Sequence, residues 1–203
     1  MGRPMVIGLV GGIGAGKSAV ARVLADLGCV VSDSDAQARA ALDEPGVRDQ
    51  LVTWWGKQIL GADGRIERSK VAKIVFDRPR DRKRLEGVIH PRVRIARQVS
   101  LDRAEQSGAP AMVIDAPLLF EAGVDQECDV VIFVDAPLSQ RLARVRESRG
   151  WDEAELTRRE SAQMSLEEKK ARSGYVVVND GDLAALRDRV LEVFERIRWN
   201  FRA

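Results

Sequence analysis

Cysteine and histidine are scarce in this chain of 203 residues, with two of the first and one of the second. Cys29 and Cys128 lie far apart, no C-x-x-C or His/Cys spacing suggests a structural metal, and nothing suggests a disulfide framework. A reducing compartment fits that usage best. No apolar stretch approaches the roughly 20 residues that span a bilayer. Nor does a basic segment lead into an apolar run and a cleavage site, so the expectation is a cytoplasmic chain with no membrane partner. The net charge of +2 gives no bulk argument for a nucleic-acid partner. Repeats and low-complexity tracts are lacking as well, and nothing in the sequence specifies an oligomeric state.

What is present is an ordinary globular composition, 45% hydrophobic and 32% charged, long enough for one buried core and a small insertion. Basic residues gather at 78–84, 92–103 and 141–159, which allows local anion sites without a global field. Short apolar runs at Met5–Val10, Cys29–Ser32, Ala111–Ile114, Val130–Val134 and Tyr175–Val178 read as buried strands. Between them, Val20, Val23, Leu24 and Leu27 carry helical spacing that ends at Gly28. Leu183, Leu186, Val190, Val193, Phe194 and Ile197 form the inner stripe of a last helix capped by Asp182. This alternation predicts an α/β fold: a five-stranded parallel sheet with helices on both faces, in three layers.

Two stretches interrupt the alternation. Residues 36–110 are too long for one crossover and read as a helical insertion. Residues 138–173 read as two helical segments broken near Gly150, the second opened by a capping box at Asp152 and Glu155 and a staple of Trp151 on Leu156. The nucleotide-binding core is thereby expected in 1–35, 111–137 and 174–203.

The strongest chemical signal is Gly11-Gly12-Ile13-Gly14-Ala15-Gly16-Lys17-Ser18, a full match to G-x-x-x-x-G-K-S/T between a strand and a helix. Glycines let the backbone turn N–H groups toward phosphate oxygens, and the helix adds the positive end of its dipole. Gly12, Ile13, Gly14, Ala15, Gly16, Lys17, Ser18 and Ala19 are the candidate nucleotide contacts. Lys17 reaches the β- and γ-phosphates, and the Ser18 hydroxyl is a ligand for Mg²⁺. An incidental glycine-rich turn would not bring both flanking elements with it. The ligand is thus a nucleoside triphosphate, ATP, with Mg²⁺.

Open parallel sheets bind ligands beyond the carboxyl ends of their strands, where Asp33, Asp35, Asp115 and Asp135 fall. In an extended segment Asp33 and Asp35 face the same way. Asp35 is the candidate for orienting an attacking hydroxyl and taking its proton, and Asp115 the candidate metal-side acid. Aspartates also cap helices and end strands, and for Asp135 the cap is preferred. Arg141, Arg144, Arg146, Arg149, Arg158 and Arg159 crowd one stretch, as a mobile cover over a transferring phosphoryl group would require. A solvated helix face explains some of them equally well. His90, followed by Pro91, is read either as the residue before a helix start, with Pro91 at its first position, or as a substrate contact. Trp54 and Trp55 read as helix packing, with adenine stacking as the alternative, and Phe76 and Met164 as core.

Several motifs in order resemble those of dephospho-coenzyme A kinases over nearly the whole chain. They are Ile7-Gly8-Leu9 through Ser18; Ser32-Asp33-Ser34-Asp35 with Ala38-Arg39; and Asp63-Gly64-Arg65-Ile66 to Val75-Phe76. Further on come Leu85-Glu86 with Ile89-His90-Pro91-Arg92-Val93; Asp115-Ala116-Pro117-Leu118-Leu119-Phe120-Glu121; Arg159 to Gln163-Met164 with Lys169; and Asn179-Asp180-Gly181. Two details depart from that family's pattern: Ala116 stands where valine is usual, and Arg141–Trp151 is a residue longer. The resemblance implies a P-loop fold with a helical acceptor domain over 36–110 and a lid over 138–173. It implies transfer of the γ-phosphoryl group of ATP to the 3′-hydroxyl of the ribose of dephospho-coenzyme A. It implies Arg149 and Arg159 as the lid cations, Asn179 at the nucleotide, and His90, Arg92, Leu118 and Phe120 beside Asp35 at the acceptor.

Rival readings are a nucleoside monophosphate kinase, which the His90-Pro91 and Asp115–Glu121 segments do not support, and a GTPase-type switch or binding module. The latter usually carries an Asn-Lys-x-Asp base-reading motif, which this chain does not contain. A nucleic-acid-dependent ATPase sits poorly with the near-zero net charge. A P-loop protein without catalysis sits poorly with the retained lysine, serine and strand-end aspartates.

Overall fold

A computed structural model describes residues 3–76 and 78–202. The chain runs β1 (Met5–Gly11), α1 (Lys17–Asp26), β2 (Val30–Asp33), α2 (Ser34–Leu42), α3 (Pro45–Trp55), a 3-10 turn at Lys57–Ile59, α4 (Arg68–Phe76) and α5 (Pro79–Ser107). It continues through β3 (Ala111–Asp115), a 3-10 turn at Val124–Glu127, β4 (Val130–Asp135), α6 (Leu138–Arg149), α7 (Glu153–Glu160), α8 (Leu166–Ala171), β5 (Tyr175–Val178) and α9 (Leu183–Arg202). Among the described residues the five strands form one parallel sheet in the order β2-β3-β1-β4-β5.

Strand β1 is buried along its whole length because the pleat sends alternate residues into two separate cores. Met5, Ile7 and Leu9 pack with Val20, Val23 and Leu24 of α1 and with Leu186, Val190, Val193, Phe194 and Ile197 of α9. Val6 and Val10 pack with Met112, Ile114, Leu119, Phe120, Phe133 and Ala104 on the opposite face. The register sets Leu9 beside Asp115 and Gly11 beside Val134. Strand β1 thus has β3 on one side and β4 on the other. The carboxyl ends of these three strands therefore border the crevice where such sheets take ligands.

The chain divides into two compact units. One is Asp33–Val99, and the other holds the described residues before and after it. Among the described residues the first has helices as its regular elements, apart from Asp33 at the end of β2 and an isolated bridge between Leu60 and Ile66, and has its own core of Ala41, Val47, Leu51, Trp55, Ile59, Ile66, Val71, Ile89 and Val93. Among the described residues no helix is long and apolar enough to cross a membrane.

Several local expectations need correction. Asp33 and Asp35 do not share an extended segment. Asp33 ends β2 and caps α2, accepting the Ala36 N–H at 2.8 Å, while Asp35 lies in the first helical turn. Pro91 does not open a helix. It sits inside α5, where Ile89 and Val93, four apart, are both buried. Burying those two side chains is worth about 1.5–3 kcal/mol each, enough to offset the ~3 kcal/mol that an interior proline costs a helix. Phe76 is not core but 71% exposed at the end of α4. Asp135 is no cap: Pro137 holds that position before α6, and the Asp135 carboxylate pairs with Lys170 at 2.7 Å. Residues 138–173 hold three helices rather than two, because Ser165 starts a further one by accepting the Glu168 N–H.

Candidate active site

The phosphate loop leaves β1 and enters α1 through two residues in left-handed backbone, Gly14 at φ 78° and Gly16 at φ 92°. A Cβ on Gly14 would lie 2.7 Å from the Arg141 carbonyl, and one on Gly16 would strike the side-chain amide of Asn179. Only glycine meets both demands. No acidic side chain sits in the first turn of α1, so no internal carboxylate competes for the positive end of its dipole. Lys17, half-buried, and Ser18, exposed, begin that helix.

Three separate segments support the loop. From the turn after β5, the buried Asn179 donates its Nδ2 to the Ala15 carbonyl at 2.7 Å. From α6, Arg144 Nη1 donates to the Gly14 and Ala15 carbonyls at 3.3 Å, and its Nη2 to the Asn179 carbonyl and Gln140. At the end of α7, Glu160 accepts the Ile13 N–H at 3.0 Å and binds the buried Arg141, which also donates to the Ile13 carbonyl. The Ile13 side chain packs with Leu142, Val145, Leu156 and Trp151, so the loop's leading turn is held by apolar contact as well.

Asp115, 8% exposed, ends β3. Among the described residues no group of three or more His, Cys, Asp or Glu side chains could enclose a metal. One hydroxyl, from Ser18, and one carboxylate suit Mg²⁺, which keeps several waters and takes its other oxygens from substrate phosphates. The residues present therefore fit that ion.

Arg149 and Arg159, the two arginines singled out by resemblance, both lie over the Trp151 ring, at 4.7 and 4.1 Å from its centroid. Arg159 is also held by Glu155 at 2.7 Å, and Arg158 by the same carboxylate at 2.8 Å. The two guanidinium hydrogen bonds pull the Glu155 carboxyl down to about 2. The expected capping box is thus half made: Asp152 accepts the Glu155 N–H, while the Glu155 side chain serves the arginines. Arg141, Arg144 and Glu160, which do touch the loop, were not picked out from the sequence. The available signal was position. Leu142 and Val145 mark the buried face of α6, and Arg141 and Arg144 flank it.

The stretch after Asp115 is held by Lys169, whose side chain has no exposed surface. Its ammonium reaches Glu121, Pro117 and Gln163. Partial burial pushes the Glu121 carboxyl up, yet the Lys169 hydrogen bond, with backbone N–H groups, leaves it below the ordinary range. Within that stretch Leu118 is exposed, while Phe120 is buried with the Arg172 guanidinium over its ring at 4.3 Å. In the helical unit, Asp35 is exposed on α2 and His90 is exposed on α5. Arg92 binds Glu44 at 2.7 Å and the Val88 carbonyl at 2.8 Å.

Comparison with known proteins agrees over nearly the full length. The dephospho-CoA kinase family profile matches residues 5–185. A dephospho-CoA kinase from Deinococcus radiodurans is 40% identical over 188 residues, 92% of this chain and 89% of that one. One from Thermobifida fusca is 38% identical over 194 residues, 95% and 96% of the two chains. A crystal structure from Thermus thermophilus, 37% identical, superposes with a TM-score of 0.84 over 96% of this chain and 98% of that one.

Proposed function

The chain belongs to the dephospho-CoA kinase family, and on that premise we propose how its own residues carry ATP-dependent phosphoryl transfer to the 3′-hydroxyl of the ribose of dephospho-coenzyme A, the final step of coenzyme A synthesis. The observation that carries the reading is a complete phosphate loop held by Asn179, Arg144 and Glu160 in a chain matched by that family along residues 5–185.

Gly12 to Ala19 surround the phosphates of ATP, with the Ile13 N–H given to Glu160 and those of Ala15 and Ala19 to the Gly12 and Gly16 carbonyls to hold the loop in shape, and Lys17 places its charge at the β- and γ-phosphates. Asn179 stands at the nucleotide because its amide already fixes the Ala15 carbonyl. Ser18 and Asp115 would hold Mg²⁺, which supplies positive charge to the phosphate oxygens. Asp35 accepts a hydrogen bond from the 3′-hydroxyl and aims it in line with the γ-phosphorus. As the new O–P bond forms and the bond to the β–γ bridging oxygen breaks, ADP departs with that electron pair and the hydroxyl proton passes to the Asp35 carboxylate. Arg149 and Arg159 exchange Trp151 and Glu155 for the phosphoryl oxygens. His90, Arg92 and Leu118 receive the acceptor; Phe120, which the resemblance sets beside them, is instead packed into the core and only anchors the stretch that carries Leu118. Residues 36–110 serve the acceptor, and residues 138–173 cover the nucleotide. Cys29 and Cys128 are not joined in a disulfide, which supports a reducing, cytoplasmic compartment for the enzyme.

The test is ADP release from ATP and Mg²⁺ with dephospho-coenzyme A, with AMP, and without acceptor, for the parent and Asp35→Asn. Turnover with dephospho-coenzyme A alone, reduced by about 10²-fold or more in the variant, is expected. Turnover with AMP instead would make the chain a monophosphate kinase. Full activity in Asp35→Asn would remove that residue from its role.

A further inference from the structure

A lysine ammonium withdrawn wholly from water is costly unless each of its donors finds an acceptor. Lys169 meets that condition with three partners from two stretches of chain. Its Nζ donates to Glu121 at 2.9 Å, to Gln163 at 3.1 Å and to the Pro117 carbonyl at 3.2 Å. An ammonium has three hydrogens, and all are used. Glu121 is fastened a second time, accepting the Met164 N–H at 2.9 Å. Pro117 and Glu121 are the two ends of the stretch that carries Leu118, Leu119 and Phe120. One ammonium therefore pins that stretch at both ends. Leu119 and Phe120 turn into the core, and Leu118 is left 46% exposed. The stretch begins two residues after Asp115.

We propose that Lys169 is a positioning residue for the acceptor: it fixes the conformation of Pro117–Glu121 that presents Leu118 to dephospho-coenzyme A. The inference rests on the reading that Leu118 belongs to the acceptor site. A purely structural role would be served as well by an apolar side chain of similar volume, since buried ion pairs are often replaceable without loss of stability. The Pro117 carbonyl argues otherwise. It has no charge to neutralise, and what its bond secures is the path of the backbone beside Leu118.

The decisive variant is the pair Lys169→Met and Glu121→Gln made together. It removes the ammonium without stranding a carboxylate, and the amide oxygen introduced by Glu121→Gln still accepts the Met164 N–H. The expected result is a folded protein with a melting temperature near the parent's, a KM for dephospho-coenzyme A raised about tenfold, and a KM for ATP within about twofold. Leu118→Ala is measured beside it. A folded double variant with the parent's acceptor KM, while Leu118→Ala raises that KM, overturns the role of Lys169 and leaves the acceptor reading intact. An unchanged acceptor KM in Leu118→Ala overturns both. Should the double variant not fold, Glu121→Gln alone loosens the same clamp. A rise of about threefold in acceptor KM then supports the inference, and no change overturns it.

Discussion

Asn179 holds Ala15 from 164 residues away: its Nδ2 lies 2.7 Å from the Ala15 carbonyl and ties the phosphate loop to the turn that follows β5. With Asn179 only 5% exposed, no water replaces that donor easily. Asn179→Ala leaves the Ala15 carbonyl with only its longer bond from Arg144, at a cost of about 0.5–1.5 kcal/mol. The expected outcome is a KM for ATP raised about tenfold with the acceptor KM little changed. Equal rises in both would mean that the turn supports more than the nucleotide side.

Glu160 permits a finer separation. Glu160→Gln keeps an oxygen for the Ile13 N–H but gives up the charge facing Arg141, and Glu160→Ala gives up both. If ordering of the loop is the main contribution, ATP affinity measured by calorimetry falls about tenfold in the alanine variant and under about threefold in the glutamine variant. Equal losses would assign the effect to the uncompensated Arg141 charge.

Pro91 interrupts the hydrogen bonding of α5 within the helical unit. Pro91→Ala should therefore stabilise the protein by about 1–3 kcal/mol, less what the unfolded chain gains in freedom. At roughly 2–4 °C per kcal/mol for a chain of this size, a scanning calorimeter would resolve the rise. A lower melting temperature would show that the helix needs the proline's local geometry.

Two groups set opposite pH dependences. The Glu155 carboxyl is held down to about 2 by Arg158 and Arg159. Its contribution to α7 is present above the ordinary 4.5 and is lost as pH falls toward about 2. A carbon-detected NMR titration of that carboxylate reads it directly, and a midpoint near 4.5 would contradict the clamp. Burial pushes the Cys29 thiol up to about 11. The unfolded chain ionises first, so stability present below 9.0 declines as pH rises toward about 11. At pH about 8.5 Cys29 should resist alkylation that the half-buried Cys128 undergoes, as mass spectrometry of the labelled protein would show.

Much of the molecule was legible in one dimension. The phosphate loop, all five strands, the Gly28 helix end, and the Asp152 and Asp182 caps are local events. Their causes, a glycine spacing, an apolar run or a side-chain oxygen three residues from an N–H, lie within a few positions of their effects. The shared orientation expected of Asp33 and Asp35 fails because α2 starts between them: the cap reading holds for Asp33, and no spacing within the Ser32–Asp35 segment says that the strand stops there.

The roles of the charged residues were a different matter. Six arginines between 141 and 159 look alike along the chain. Which of them meets the phosphate loop depends on how α6 lays Leu142 and Val145 against Ile13, 128 residues before Arg141. Likewise, nothing near Lys169 in sequence says that its ammonium is buried. Packing of α8 beside the stretch after β3 removes the water, and removal of water forces the ammonium onto Pro117, Glu121 and Gln163. Fold, phosphate loop and family were therefore readable from residue order alone, because periodicity and spacing act over short range. Which charges hold that loop and the Pro117–Glu121 stretch in shape was settled in three dimensions, because desolvation is a property of the packed molecule and of no single segment.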